Sequence, residues 1–161
     1  MVTESYSAAV RVAVAAVVGI AAGVGGYVAG HNGPAGPAAA AYLTIANAGN
    51  KALDSDFDRE QGPDHDNLAA ATADLRDVVA TEHLFDQRLT ALVLPPGPED
   101  WAHTLFTVNE ARAALTAQAA ASTSLAQLAS YQSQLTAANV PVEQAVTAIR
   151  AELGLPAPDS D

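Results

Sequence analysis

"LAAATADLRDVVATEHLFDQRLTAL", Leu68 to Leu92, decides the fold. Leu68, Ala71, Leu75, Val78, Glu82, Phe85, Leu89 and Leu92 follow one another at alternating spacings of three and four, without a slip. That is the seam of a helix packed on another helix, whereas a strand would alternate every second residue. Turn chemistry closes both ends. "QGPDHDN" (Gln61–Asn67) precedes the seam and offers Asp64 or Asp66 as a helix cap, and "LPPGP" (Leu94–Pro98) follows it.

The same reading extends in both directions. Upstream, a helix is expected from about Pro37 to about Phe57, with Tyr42, Ile45, Ala46, Gly49, Leu53 and Phe57 along its apolar stripe. Downstream, Pro98 opens a third helix whose first turn carries Glu99 and Asp100, acids that suit the positive end of the helix dipole. Its expected seam is Trp101, Leu105, Val108, Arg112, Leu115 and Ala119. "STS" (Ser122–Ser124) marks the next turn and supplies a cap. A last helix then carries Leu128, Tyr131, Leu135, Ala138, Val142, Ala145 and Ile149, and stops at Gly154. Pro141 should kink or split it, because proline removes a backbone hydrogen bond. Four amphipathic helices joined by short turns predict an all-α, antiparallel up-down four-helix bundle over residues 38–155, with 156–161 as an acidic C-terminal tail.

Composition agrees with helix. Roughly a quarter of the residues are alanine, and aromatics are 5%. Alanine walls let helices approach closely while burying little area per contact, so the core should be thin. The net charge of −11 disfavours binding to a phosphate backbone, which needs clustered Lys and Arg; nucleic acid is not an expected partner. With no cysteine, disulfides, thiolate metal sites and a thiol nucleophile are excluded.

Residues 1–30 are expected to form a short cytoplasmic stub and an apolar transmembrane or signal helix. From Val12 to Gly30, "VAVAAVVGIAAGVGGYVAG", nineteen residues pass without a charge, enough to cross roughly 30 Å of hydrocarbon at about 1.5 Å per residue. Gly19 and Gly23, and again Gly26 and Gly30, have the G-x-x-x-G spacing that lets membrane helices pack closely. A cleaved signal peptide is the competing reading, supported by Arg11 before the run and the small residues of "GPAGPAAAA" (Gly33–Ala41) after it. The span exceeds a usual signal core, which favours retention. Arg11 with no further Lys or Arg until Lys51 places the N-terminus in the cytoplasm, so either reading exports the bundle beyond the Gly/Pro linker at 31–37.

Two charges interrupt apolar seams: Glu82 and Arg112. Measured from Pro96 at the turn between their helices, one lies fourteen residues before and the other sixteen after. In an antiparallel hairpin that difference is about 3 Å of rise, so a buried Glu82–Arg112 ion pair is expected. In the competing reading the seam is slightly rotated and both charges reach water.

The metal patterns are weaker. "DSDFDRE" (Asp54–Glu60) begins like a calcium loop, making Asp54, Asp56, Asp58 and Asp64 candidate ligands. The loop's sixth and twelfth positions, however, hold Arg59 and His65 instead of Gly and Glu. A solvated acidic turn is the plainer reading. Asp100 and His103 form one degenerate half of a di-iron motif, and His65 and His83 add no second half. No Ser or Thr occupies a nucleophile elbow and no Gly-rich loop follows a strand, so neither an enzyme nor a cofactor is expected.

The apolar N-terminus, "AAAAYLTIANAGNKALDSDF" (Ala38–Phe57) and the closing "AVTAIRAELGLP" (Ala145–Pro156) resemble the Ala-rich, anchored or exported helical proteins of high-GC actinobacteria. The resemblance is compositional, implies no activity and carries over no functional residue. The expected function is that of a non-enzymatic, membrane-anchored extracytoplasmic bundle. Its expected partners are the lipid bilayer and a membrane or envelope protein. The alternative is a secreted or anchored binder of a small apolar ligand or a divalent metal ion.

Overall fold

The structure, a computed structural model, describes residues 36–61 and 66–158. It is all-helical, with four long helices and a short one: α1 (Pro37–Gln61), α2 (Leu68–Thr90), α3 (Pro96–Ala119), α4 (Leu125–Ala129) and α5 (Gln132–Glu152). No strand occurs among the described residues. The packed pairs are α1 with α2, α2 with α3 and α3 with α5. Five residues, 91–95, join α2 to α3. So short a connection between packed helices of 23 and 24 residues leaves only an antiparallel hairpin.

Caps explain most of the boundaries. Asn67, rather than Asp64 or Asp66, caps α2: its Oδ1 accepts from the amides of Ala69 (3.1 Å) and Ala70 (3.3 Å). It is the residue directly before the helix, the only place from which a side chain reaches those amides. α3 begins at Pro96, two residues before the expected Pro98, and both prolines fall in a first turn that has no partner for their missing N–H. Ser124 caps α4 through Gln127 N (3.1 Å), and Gln127 Oε1 accepts in return from Thr123 N (2.8 Å). At the far end, Gly154 takes φ 68° while Leu155 N donates to Arg150 O (2.8 Å) and Gly154 N to Ala151 O (3.1 Å). This is a Schellman ending at the Gly154 stop expected from the sequence, and Leu155 is buried beneath it.

Two expectations need correction. The last helical run is not split at Pro141, which lies inside the single helix α5. It divides instead at Ser130 and Tyr131, between α4 and α5. There the Ser130 hydroxyl donates to Gln127 O (2.6 Å), one of the backbone-competing bonds that disfavour serine within helices. The inner face of α3 also differs. It runs through Pro98, Ala102, Leu105, Asn109, Arg112, Ala113, Thr116 and Ala119, leaving Trp101 39% exposed and Val108 and Leu115 half-buried. Turning small and polar side chains inward lets the neighbouring helices close in and gives Arg112 its partners.

The core joins Tyr42 and Leu53 of α1 to Leu75, Val78, Phe85 and Leu89 of α2, Leu105 of α3, and Val142, Val146 and Ile149 of α5. Tyr42 is fully buried, its hydroxyl has no hydrogen-bond partner, and burial pushes its pKa up to about 12 against the pull of Arg150. An unsatisfied buried hydroxyl costs about 1–3 kcal/mol. Tyr42→Phe should therefore raise the thermal midpoint; a fall of several degrees in a circular-dichroism melt would show that the hydroxyl is satisfied in solution.

No helix of the described residues is long and apolar enough to cross a membrane. The apolar span 12–30, with Gly19, Gly23, Gly26 and Gly30, lies outside the described residues, as do Asp64 and His65.

Candidate functional site

Polar side chains meet in the middle of the packing, where three helices face one another. From α2 come Glu82 and Asp86, one helical turn apart and therefore on one face. α3 supplies Asn109 and Arg112 at the matching i, i+3 spacing, and α5 supplies Asn139. All five are buried: Glu82, Asp86 and Asn109 at 0% exposure, Arg112 at 1% and Asn139 at 2%.

Arg112 organises the layer. Its Nη2 lies 2.7 Å from Glu82 Oε1 and donates to Asn109 Oδ1 at 2.8 Å, while Nη1 donates to Asn139 Oδ1 at 3.1 Å. The two charges read from the seams thus face each other inside the protein. The match is incomplete. Glu82 Oε1 stands at ion-pair distance without the alignment of a hydrogen bond, and Glu82 Oε2 and Arg112 Nε have no partner. Burial pushes the Glu82 pKa up, opposed first by Arg112 and then by His83, while Glu110 adds to the rise.

Asp86 Oδ2 accepts from Asn109 Nδ2 at 2.9 Å. Burial lifts the Asp86 pKa to about 7; the Asn109 bond opposes this, and the neighbouring Glu110 and Glu82 reinforce it. At the rim, His83 Nδ1 lies 2.8 Å from Glu110 Oε1, with the two side chains 44% and 39% exposed. Of the two buried acids, Glu82 faces the guanidinium directly and Asp86 is linked to it through Asn109, and an acid–histidine pair connects the layer to water. Such a set can hold a proton and fix helix alignment. It offers no activated nucleophile: the Thr116 hydroxyl is spent on Arg112 O at 3.1 Å.

The acidic stretch read as a possible calcium loop is not a loop. Asp54, Asp56 and Asp58 lie within α1, where residues two apart point about 200° from each other and cannot wrap a common ion. Asp54 and Asp58 face solvent, while Asp56 turns inward. The cation beside it is Arg59, placed 2.7 Å from Asp56, 3.0 Å from Asp74 and 3.1 Å from Asp77. Burial raises the Asp56 pKa and Arg59 holds it down. Among the described residues no three His, Asp or Glu side chains converge as metal ligands, and Asp100 and His103 are both exposed.

A groove of about 280 Å³ runs along α2 and the end of α3, lined by Arg76, Val79, Ala117, Ala120 and Ala121. Arg76 reaches across it and donates to Ala120 O at 2.9 Å, satisfying a carbonyl at the end of α3.

The chain matches no protein-family model, no curated protein and no solved structure. The site must be understood from its own chemistry.

Sequence reasoning reaches Glu82 and Arg112 but not Asp86, Asn109 or Asn139. A signal for them is present: Asp86 is four residues beyond Glu82 and Asn109 three before Arg112, so each shares a face with a charge already assigned to a seam.

Proposed function

We propose that this chain is a non-enzymatic, membrane-anchored protein whose up-down four-helix bundle stands outside the cytoplasm. There it serves as an interaction or accessory subunit of a cell-envelope complex. The observation that carries the anchor is the uncharged run of nineteen residues at 12–30, with its paired glycines, directly ahead of the bundle. The single Arg11 before that run supports a cytoplasmic N-terminus. The non-enzymatic part rests on burial: Glu82 and Arg112, at 0% and 1% exposure, are out of a substrate's reach. What remains to act is the acidic exterior, with apolar side chains such as Trp101, Phe106 and Leu84 more than a third exposed.

The test is the intact mass and N-terminal sequence of the protein from washed native membranes and from the medium. A membrane-bound chain starting at Met1 or Val2, recovered with an envelope protein after gentle crosslinking, is the expected result. A soluble chain starting near Ala40 would overturn the anchor.

The alanine-lined groove favours a second reading, a binder of a small apolar ligand. Under that reading, such a ligand raises the thermal midpoint of the purified chain in proportion to its occupancy.

A further inference from the structure

Three carboxyl groups, Glu82, Asp86 and Glu110, gather between α2 and α3, where the Arg112 guanidinium pairs with the first of them. Glu82 takes the place beside Arg112 at 2.7 Å. Asn109 links that guanidinium to the second acid, its oxygen accepting from Arg112 and its nitrogen donating to Asp86. Asp86 then keeps a buried Oδ1 with no donor, while its carboxyl lies within hydrogen-bonding reach of Glu110. Two ionised carboxylates at that range repel. One proton between them converts the repulsion into a short, charge-assisted O–H···O bond and gives the orphaned acid its missing contact. Beyond Glu110 stands His83, at 2.8 Å and nearly half exposed.

We propose that Asp86 is a proton-binding site: it carries a proton that it donates to Glu110, exchanges that proton with water through Glu110 and His83, and on losing it weakens the α2–α3 contact. The charged and titratable groups around it are Glu82 and His83 on its own helix, and Glu110 and Arg112 on α3. From α1, Gly49 packs against the adjacent Phe85, and α5 brings the neutral Asn139.

The direction of the pH effect follows. Asp86 holds its proton more tightly in the folded chain, to about 7 against an ordinary 3.8. Its stabilising contribution is complete in acid, declines as the pH rises from about 4, and is gone once the pH passes about 7.

The experiment is a carbon-13 NMR titration of the Asp86 side-chain carboxyl in the full chain held in detergent micelles, assigned with Asp86→Asn. A midpoint near 7 is expected, and Glu110→Gln should lower it by removing the like charge. A midpoint below about 5 overturns the site. A midpoint near 7 that ignores Glu110→Gln overturns the shared proton. Thermal melts between pH 5 and 8 provide the second readout. The wild-type midpoint should fall with pH relative to that of Asp86→Asn, and parallel curves would overturn the weakening of the helix contact.

Discussion

Replacing Arg112 by methionine should cost the fold about 3–5 kcal/mol, because Glu82 would stay buried with no opposing charge. In a bundle of this size that is a fall in Tm on the order of 10–20 °C. The double variant Glu82→Met with Arg112→Met should recover most of the loss, since apolar side chains of similar volume commonly replace a buried pair at little cost. Recovery should stop short of complete, because Asn109 and Asn139 each lose the guanidinium as a donor. Urea unfolding of the wild type, both single variants and the double variant measures this directly. Strictly additive losses would mean that the 2.7 Å approach has no energetic consequence.

The largest expected gain is at Pro141. It is the tenth residue of the 21-residue α5, too far in for its missing N–H to be harmless. Proline in a helix interior is about 3 kcal/mol worse than alanine. Pro141→Ala restores a donor for the carbonyl of Ala137 and removes the ring that presses on that turn. A gain of about 1–3 kcal/mol is expected, the lower part of the range allowing for packing lost at a half-buried position. Thermal melts of the two proteins decide it. An unchanged or lowered Tm would indicate that the ring packs well enough to offset the lost bond.

These two sites also mark how far the sequence can be read. The seam of α2 and the stop at Gly154 are legible because local chemistry dictates each: a heptad period in one case, a left-handed glycine in the other. Pro141 misleads because its local penalty is overridden by the packing of α5 on α3. The break at Ser130 is correspondingly hidden, since serine is common inside helices and nothing nearby in the chain announces it. Trp101 misleads in another way. Hydrophobicity ranks it for the core, yet close helix approach favours Ala102 beside it. Asp86, Asn109 and Asn139 are missed because no period in the chain announces their contacts: Arg112 reaches Asn109 and Asn139, and Asn109 reaches Asp86, only once three helices are packed. The acidic run at 54–58 imitates a loop motif only until the helix that contains it is known.

The fork has a consequence for how the chain could be rearranged. Glu82, Asn109 and Asn139 belong to three different helices, and one planar side chain reads all three at once. Asn109 shares α3 with Arg112 and travels with it, but a slip of one residue along α2 or α5 moves Glu82 or Asn139 by about 1.5 Å and swings it through about 100°, enough to empty one tine. Alignment is thus written into side chains and owes little to the connecting segments. A circular permutant opened within 91–95 would still bring α2, α3 and α5 into the same registration, whereas inserting a single residue between Arg112 and Ala119 would leave the fork whole and throw the rest of α3 out of phase.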